Sequence, residues 1–308
     1  MNVKDIVIYG TGAIGSVLAT FLRQSDPELK RNIHLIGRSY ILDPIKEQGL
    51  YFSPYKQEKK VHSTGFSTHT DISEVEHADV IFLSMKAHSL RESLEEAAHL
   101  MKSAPIIFIT MNGLGLAHIV SEFVPESNII ECIVLFPSKL EGNHVRNTGG
   151  NAKIIAEKND VSEKIVPALF KPKTLDIPLD EKYKETQWKK AVMNIGMNAL
   201  SAITMKTVGE VLDTSPLRII IEQLIEETMA VAEKEGIVLP SDMLDQFWDF
   251  CSKDPHHRPS TQQDLKRGKP TETEFLNGYI MKKGKVYDIS TPANTAIVNL
   301  MDIIEKRI

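Results

Sequence analysis

Lys190, Asn194 and Asn198 recur at four-residue intervals inside WKKAVMNIGMNALSAITM. At about 100° per residue they fall within about 80° of a helix circumference. The rest of that segment is apolar nearly all round, the pattern of a helix enclosed by protein. An ammonium and two amides directed into such a setting cost on the order of a few kcal/mol each unless polar groups meet them, so the stripe reads as the wall of a polar binding site. An ammonium held there can stabilise negative charge growing on a carbonyl oxygen and then supply the proton. The amides can bond a carboxylate or a hydroxyl without adding a competing charge. Further on, Ser260 and Glu272 flank the loop KRGKP. Free lysine titrates at about 10.4; burial lowers that value and a nearby carboxylate raises it, so Glu272 is a candidate to tune Lys190. Thr271 is expected to cap a helix over TETEFLNGYIMKKGK, with Glu274 completing a capping box, and an acid in that first turn is explained equally by the helix dipole.

A second group of residues lies near the N-terminus. Gly10, Thr11, Gly12, Ala13, Ile14 and Gly15 spell GTGAIG directly after the strand-like IVIY and directly before an apolar-faced helix. That context turns a glycine pattern into a nucleotide fingerprint. The first glycine permits a tight turn, the second lets backbone approach a pyrophosphate, and the third lets helix and strand pack closely, with unpaired N–H groups at the helix start facing the phosphates. At the end of the next strand, where an acid would bond a ribose hydroxyl, stands Gly37-Arg38-Ser39. An arginine fork suits a 2′-phosphate, which favours NADP over NAD. Lys86 in SMKA and Asn112 in MNGLG follow two further strands, at the edge where open α/β sheets bind ligands. Lys86 is either a second phosphate contact or a solvated surface group, and Asn112 either a ligand contact or a turn residue.

The elements that must position these groups follow from periodicity. Short β-branched runs (IVIYG, IHLIG, DVIFLSM, PIIFITM, NIIECIVLF) alternate with helical stretches, which predicts an α/β fold with an N-terminal Rossmann-type, doubly wound parallel sheet. After the Pro- and charge-rich stretch near residue 180 the pattern turns to long helical periods, so a mostly α-helical C-terminal domain is expected at 181–308 behind a nucleotide-binding domain at 1–180, with one active site at their junction. Gly236 is expected to end the helix that begins at SPLR.

The chain has 308 residues, 42% apolar and 25% charged, with 36 basic and 41 acidic side chains for a net charge of -5. This balance gives no footing for nucleic acid, and no apolar run is long enough for a membrane span. The start, MNVKDIVIYG, reads as a structural element rather than a secretion signal, so a cytoplasmic location is expected. Cys132 and Cys251 suit buried thiols better than a bridge, and the histidines show no metal-ligand spacing, so no metal is expected.

Taken together, these motifs resemble the ketopantoate reductase (2-dehydropantoate 2-reductase) family over nearly the whole chain. The resemblance runs in order through GTGAIG, the arginine after the second strand, SMKAH, NGLG, WKKAVMNIGMNAL, STQQDL, TETEFLNG and TPAN at 291–294. It implies NADPH-dependent reduction of a 2-oxo acid, with ketopantoate giving (R)-pantoate for pantothenate and coenzyme A synthesis. It implies that Lys190 is the catalytic lysine and Glu272 its acidic partner, and that Asn194, Asn198 and Ser260 hold the substrate. Asn112 would lie between substrate and nicotinamide, and Arg38 and Lys86 would grip the NADP phosphate. The chain departs from the family pattern at Met111, Phe136 and Asn147, changes that bear on which oxo acid fits. The alternatives are a related reductase or 3-hydroxyacid dehydrogenase for another small acid, or a non-catalytic NADP-binding sensor; a monomer or a homodimer is compatible with the sequence.

Overall fold

The computed structural model describes residues 3–57, 60–171 and 175–307. Its chain divides into two compact units, Met1–Asn112 with Leu116–Tyr183, and Gly113–Gly115 with Lys184–Ile308.

The strands of the first unit are β1 (Asp5–Tyr9), β2 (Asn32–Ile36), β3 (Leu50–Ser53), β4 (Val61–Ser63), β5 (Ser67–His69), β6 (Val80–Leu83), β7 (Ile106–Ile109), β8 (Ile129–Val134), β9 (Ser138–Glu141), β10 (His144–Asn147), β11 (Ile154–Glu157) and β12 (Leu179–Asp180). Its helices are α1 (Ala13–Gln24), α2 (Ser39–Gln48), α3 (Leu90–Glu96), α4 (Ala98–Met101), α5 (Leu116–Ser121) and α6 (Ser162–Leu169). Eight strands form one sheet in the order β12-β11-β8-β7-β6-β1-β2-β5. The six from β8 to β5 run parallel, and β11 joins antiparallel to β8. The five apolar runs read from the sequence are β1, β2, β6, β7 and β8, buried almost throughout because helices cover a parallel sheet on both faces. The chain proceeds from β1 outward through β2 to β5, then returns to β6 on the other side. Strand order therefore reverses between β1 and β6, the place where such sheets bind ligands.

Strands β4, β3, β10 and β9 form a separate four-stranded sheet. It packs on α1, with the Phe21 and Phe52 rings edge to face at 5.0 Å. Covered on both sides, α1 buries every residue from Gly15 to Arg23, which accounts for its run of small and apolar side chains.

In the second unit the helices are α7 (Tyr183–Thr204), α8 (Val208–Leu212), α9 (Ser215–Lys234), α10 (Met243–Ser252), α11 (Ser260–Lys266), α12 (Asn277–Tyr287) and α13 (Pro292–Glu305). Helix α9 ends as expected: Gly236 takes φ +76, its N–H meets the Glu233 carbonyl at 3.0 Å, and the Ile237 N–H meets that of Ala232 at 2.9 Å, a Schellman closure. The core is built on α7, whose Val192, Ile195 and Ala199 pack with Ile221 and Leu224 of α9 and Phe247 of α10. Cys132 and Cys251 are free and buried; burial lifts both thiols above the usual range, Cys251 to about 12. No described helix is long and apolar enough to cross a membrane.

Candidate active site

The residues of the glycine fingerprint line the C-terminal edge of the parallel sheet. The N–H groups of Gly10 and Thr11 and the Thr11 hydroxyl all donate to the Ile36 carbonyl, at 3.0–3.1 Å. This fastens the loop after β1 to the end of β2, just before Gly37 and Arg38. Gly10 adopts φ +98, and a Cβ there would lie 2.4 Å from the Met85 nitrogen, so the SMKA loop after β6 closes directly on the turn. A Cβ at Gly15 would strike the Gly10 carbonyl oxygen at 2.4 Å. Gly12 differs: a Cβ there would meet nothing within 4 Å. Gly12 also precedes the first residue of α1 without a side-chain cap. Backbone facing open space at an uncapped helix start is the arrangement a dinucleotide pyrophosphate requires, so the loop fits a nicotinamide dinucleotide. Arg38 is exposed at the start of α2, and Lys86 is half-buried ahead of a short 3-10 turn, Ala87–Ser89. Asn112 closes the loop after β7, half-buried beside the buried Met111.

In the second unit, Lys190, Asn194 and Asn198 each keep part of their surface, while the neighbouring Ala191, Val192, Ile195, Met197 and Ala199 are buried. The predicted stripe is therefore a property of the folded helix. Burial pulls the Lys190 ammonium down from its ordinary 10.5 to about 8, and the Glu272 carboxylate opposes that fall. A lysine near 8 is a better acid than a free one and is still substantially protonated at neutral pH. Glu272 is 6% exposed and comes from a separate segment, brought to α7 by the tertiary fold. Ser260 is exposed on the first turn of α11. That helix is anchored through Gln262, which is fully buried and donates to the carbonyls of Ser201 and Lys206 at 2.9 Å each.

The expected capping box at 271–274 does not form. Helix α12 begins only at Asn277, after a 3-10 turn at Thr273–Phe275 that lacks a side-chain cap. Glu274 turns outward to pair with Lys282 at 2.8 Å. The Thr271 hydroxyl instead donates to Glu305 at the end of α13, while the Thr273 N–H donates to the Thr271 oxygen at 3.3 Å. Glu272 is thus held between two buried threonines tied to the last helix, and tertiary bonding displaces the local cap. One more residue of this framework, Glu227, lies in none of the sequence motifs. Glu227 accepts the backbone N–H groups of Ala293 and Asn294 at 2.8 and 2.9 Å, and Asn294 bridges Glu227 to Asn277. Asn277 and Asn294 lie in the segments LNG and TPAN, and both are buried to 2% or less.

Of the three departures from the family pattern, two are absorbed by the fold. Phe136 belongs to the core of the first unit. Asn147 accepts from the Gly149 N–H at 3.0 Å and donates to the Gly150 carbonyl at 2.8 Å, shaping its own turn.

Comparison with known proteins agrees with this architecture. The family described as ketopantoate reductase PanE/ApbA matches residues 6–160, and its C-terminal counterpart matches 182–305. The 2-dehydropantoate 2-reductase of Streptococcus pyogenes serotype M3 is 26% identical over 302 residues, covering 96% of each chain. That of Halobacterium salinarum is 24% identical over 306 residues, covering 98% of this chain and 99% of its own. Among solved structures, a PanE/ApbA family ketopantoate reductase from Ralstonia eutropha JMP134 superposes with a TM-score of 0.88 at 26% identity, covering 98% of this chain and 99% of that one. D-mandelate dehydrogenase, solved with NADH and anilino(oxo)acetate, superposes with a TM-score of 0.84 at 27% identity and the same coverage. With a Rossmann-type sheet, a helical second unit and family matches that span both, the chain belongs to the ketopantoate reductase family.

Proposed function

We propose that this protein reduces a 2-oxo acid with NADPH, ketopantoate to (R)-pantoate being the leading reaction, and so supplies pantothenate and coenzyme A synthesis from the cytoplasm. The observation that carries the reading is the Lys190–Glu272 pair, a buried ammonium brought to about 8 on a polar helix stripe, in a chain of this family. NADPH, when bound, supplies the hydride. Gly10–Gly15 and the start of α1 hold the pyrophosphate, Arg38 and Lys86 hold the 2′-phosphate, and Asn112 orients the nicotinamide and the substrate. As the carbonyl carbon is reduced, its oxygen gains negative charge; Lys190 stabilises that charge and donates the proton from Nζ. Glu272 keeps Lys190 protonated in the resting protein. Asn194, Asn198 and Ser260 bond the carboxylate and hydroxyl groups of the acid.

A second reading, a bulkier 2-oxo acid reduced with NADH, is favoured by the similarity to D-mandelate dehydrogenase. With Phe136 and Asn147 committed to the fold, Met111 is the departure that bears on this choice. Fluorescence-monitored titration with NADPH and NADH, followed by addition of ketopantoate or a phenyl-substituted 2-oxo acid, separates the two. Rapid NADPH oxidation by ketopantoate supports the first reading. NADPH binding without turnover of any oxo acid refutes the enzyme assignment and leaves the sensor alternative.

A further inference from the structure

The turn Gly113–Gly115, which directly follows Asn112, packs as part of the second unit. Leu114 is 3% exposed within the helical core, and its N–H donates to the Phe275 carbonyl at 2.8 Å. Phe275 in turn donates its own N–H to the carbonyl of Glu272 at 3.0 Å. Gly115 adopts φ +76, and a Cβ there would lie 2.6 Å from Cε2 of Tyr279, so that ring closes on the turn with no room for a side chain. The ring also stands T-shaped to that of Trp188, two residues before Lys190, with ring centres 6.1 Å apart. The ring itself is clamped: its hydroxyl donates to Glu235 at 3.2 Å, Glu235 pairs with Lys283 at 2.8 Å, and the Lys283 ammonium stands 5.5 Å from the ring centre.

Tyr279 therefore touches the turn after Asn112 and the helix of Lys190, and lies in the first turn of α12, which follows the segment of Glu272. We infer that Tyr279 is a positioning residue: held through its ring by Trp188 and Lys283, it fixes the Gly113–Gly115 turn and thereby the backbone that leads directly from Asn112. The inference rests on the roles proposed above for Asn112, Lys190 and Glu272. It differs from a packing role because it predicts an effect on hydride transfer that exceeds any effect on stability.

The test compares Tyr279→Ala and Tyr279→Phe with the wild-type protein. Displacement of a reacting group by about 1 Å costs on the order of a hundredfold in rate, so kcat of Tyr279→Ala for ketopantoate is expected to fall roughly 10- to 100-fold. The NADPH dissociation constant should stay within about twofold, since the glycine loop is untouched. The kinetic isotope effect with NADPH deuterated at the transferred position should rise, and Tyr279→Phe should recover most of the lost kcat. Hydrogen exchange at the Leu114 amide should accelerate in Tyr279→Ala while the amides of α9 keep their protection. An unchanged kcat, or a fall with an unchanged isotope effect, overturns the inference; so does unaltered exchange at Leu114. Should Tyr279→Ala fail to fold, Tyr279→Leu, which keeps apolar bulk without the flat ring, carries the same comparison. A wild-type protein that reduces no 2-oxo acid overturns the functional reading instead, and the exchange measurement then decides whether Tyr279 holds the turn.

Discussion

Replacing Glu272 by Gln removes a charge while keeping the size of the side chain, and the structure predicts what this does to the pH profile. Burial brings Lys190 from 10.5 to about 8 against the opposing pull of Glu272. An opposite charge at close range shifts a titrating group by roughly 1–3 pH units, so without the carboxylate Lys190 should titrate at about 7 or lower. The proton donor is the ammonium, which is present below its pKa, so the loss appears on the alkaline side. At pH of about 6 both proteins hold the ammonium and should differ little. At pH of about 8 the wild type is roughly half protonated and the variant roughly one-tenth, a fivefold deficit that approaches tenfold by about pH 9. The assay is kcat/KM for ketopantoate across the pH range, because this ratio reports groups of the free enzyme. An alkaline limb that stays in place or moves up refutes the electrostatic role of Glu272. An equal loss at pH of about 6 and 9 would show that the carboxylate acts on the substrate instead.

Three further outcomes follow from the geometry. Arg38→Ala should weaken NADPH binding by about 10- to 100-fold, the worth of a charged hydrogen bond of about 1.5–3 kcal/mol, and leave NADH within about twofold; equal weakening of both would remove Arg38 from 2′-phosphate recognition. Gly12 has an ordinary extended backbone at φ -85, so Gly12→Ala should melt within a few degrees of the wild type yet bind dinucleotide about tenfold or more weakly, a cost of about 1.4 kcal/mol; undiminished affinity in titration would mean the pyrophosphate lies elsewhere. Asn294→Leu strips partners from Glu227 and Asn277 in a fully buried setting, and urea unfolding should register a loss of about 2–4 kcal/mol; a loss under about 0.5 kcal/mol would mean the network carries no stability.

The parts of the protein legible in the sequence are those governed by local rules. Strands β1, β2, β6, β7 and β8 announce themselves because a parallel sheet buries both faces and so demands unbroken apolar runs. The glycine fingerprint is equally plain, since backbone crowding at Gly10 and Gly15 tolerates no other residue. The helix of Lys190, Asn194 and Asn198 shows its polar stripe through period alone. The short strands β3, β4 and β5, of three or four partly polar residues each, gave no periodic signal because too few residues alternate. The segment 271–276 departs from its local pattern for a different reason: Thr271 satisfies a capping rule locally, but its hydroxyl finds Glu305, thirty-four residues away, and the helix starts late.

Residue types and spacing thus determined the architecture of each unit and the candidates for chemistry, because hydrophobic period and glycine sterics act within one or two turns of chain. Tertiary structure alone decided that Glu272 opposes the fall in the Lys190 pKa, that the turn after Asn112 is seated on Phe275 and Tyr279, and that Phe136 and Asn147 serve the fold. Burial and through-space charge depend on which distant segments meet, and no local pattern encodes that.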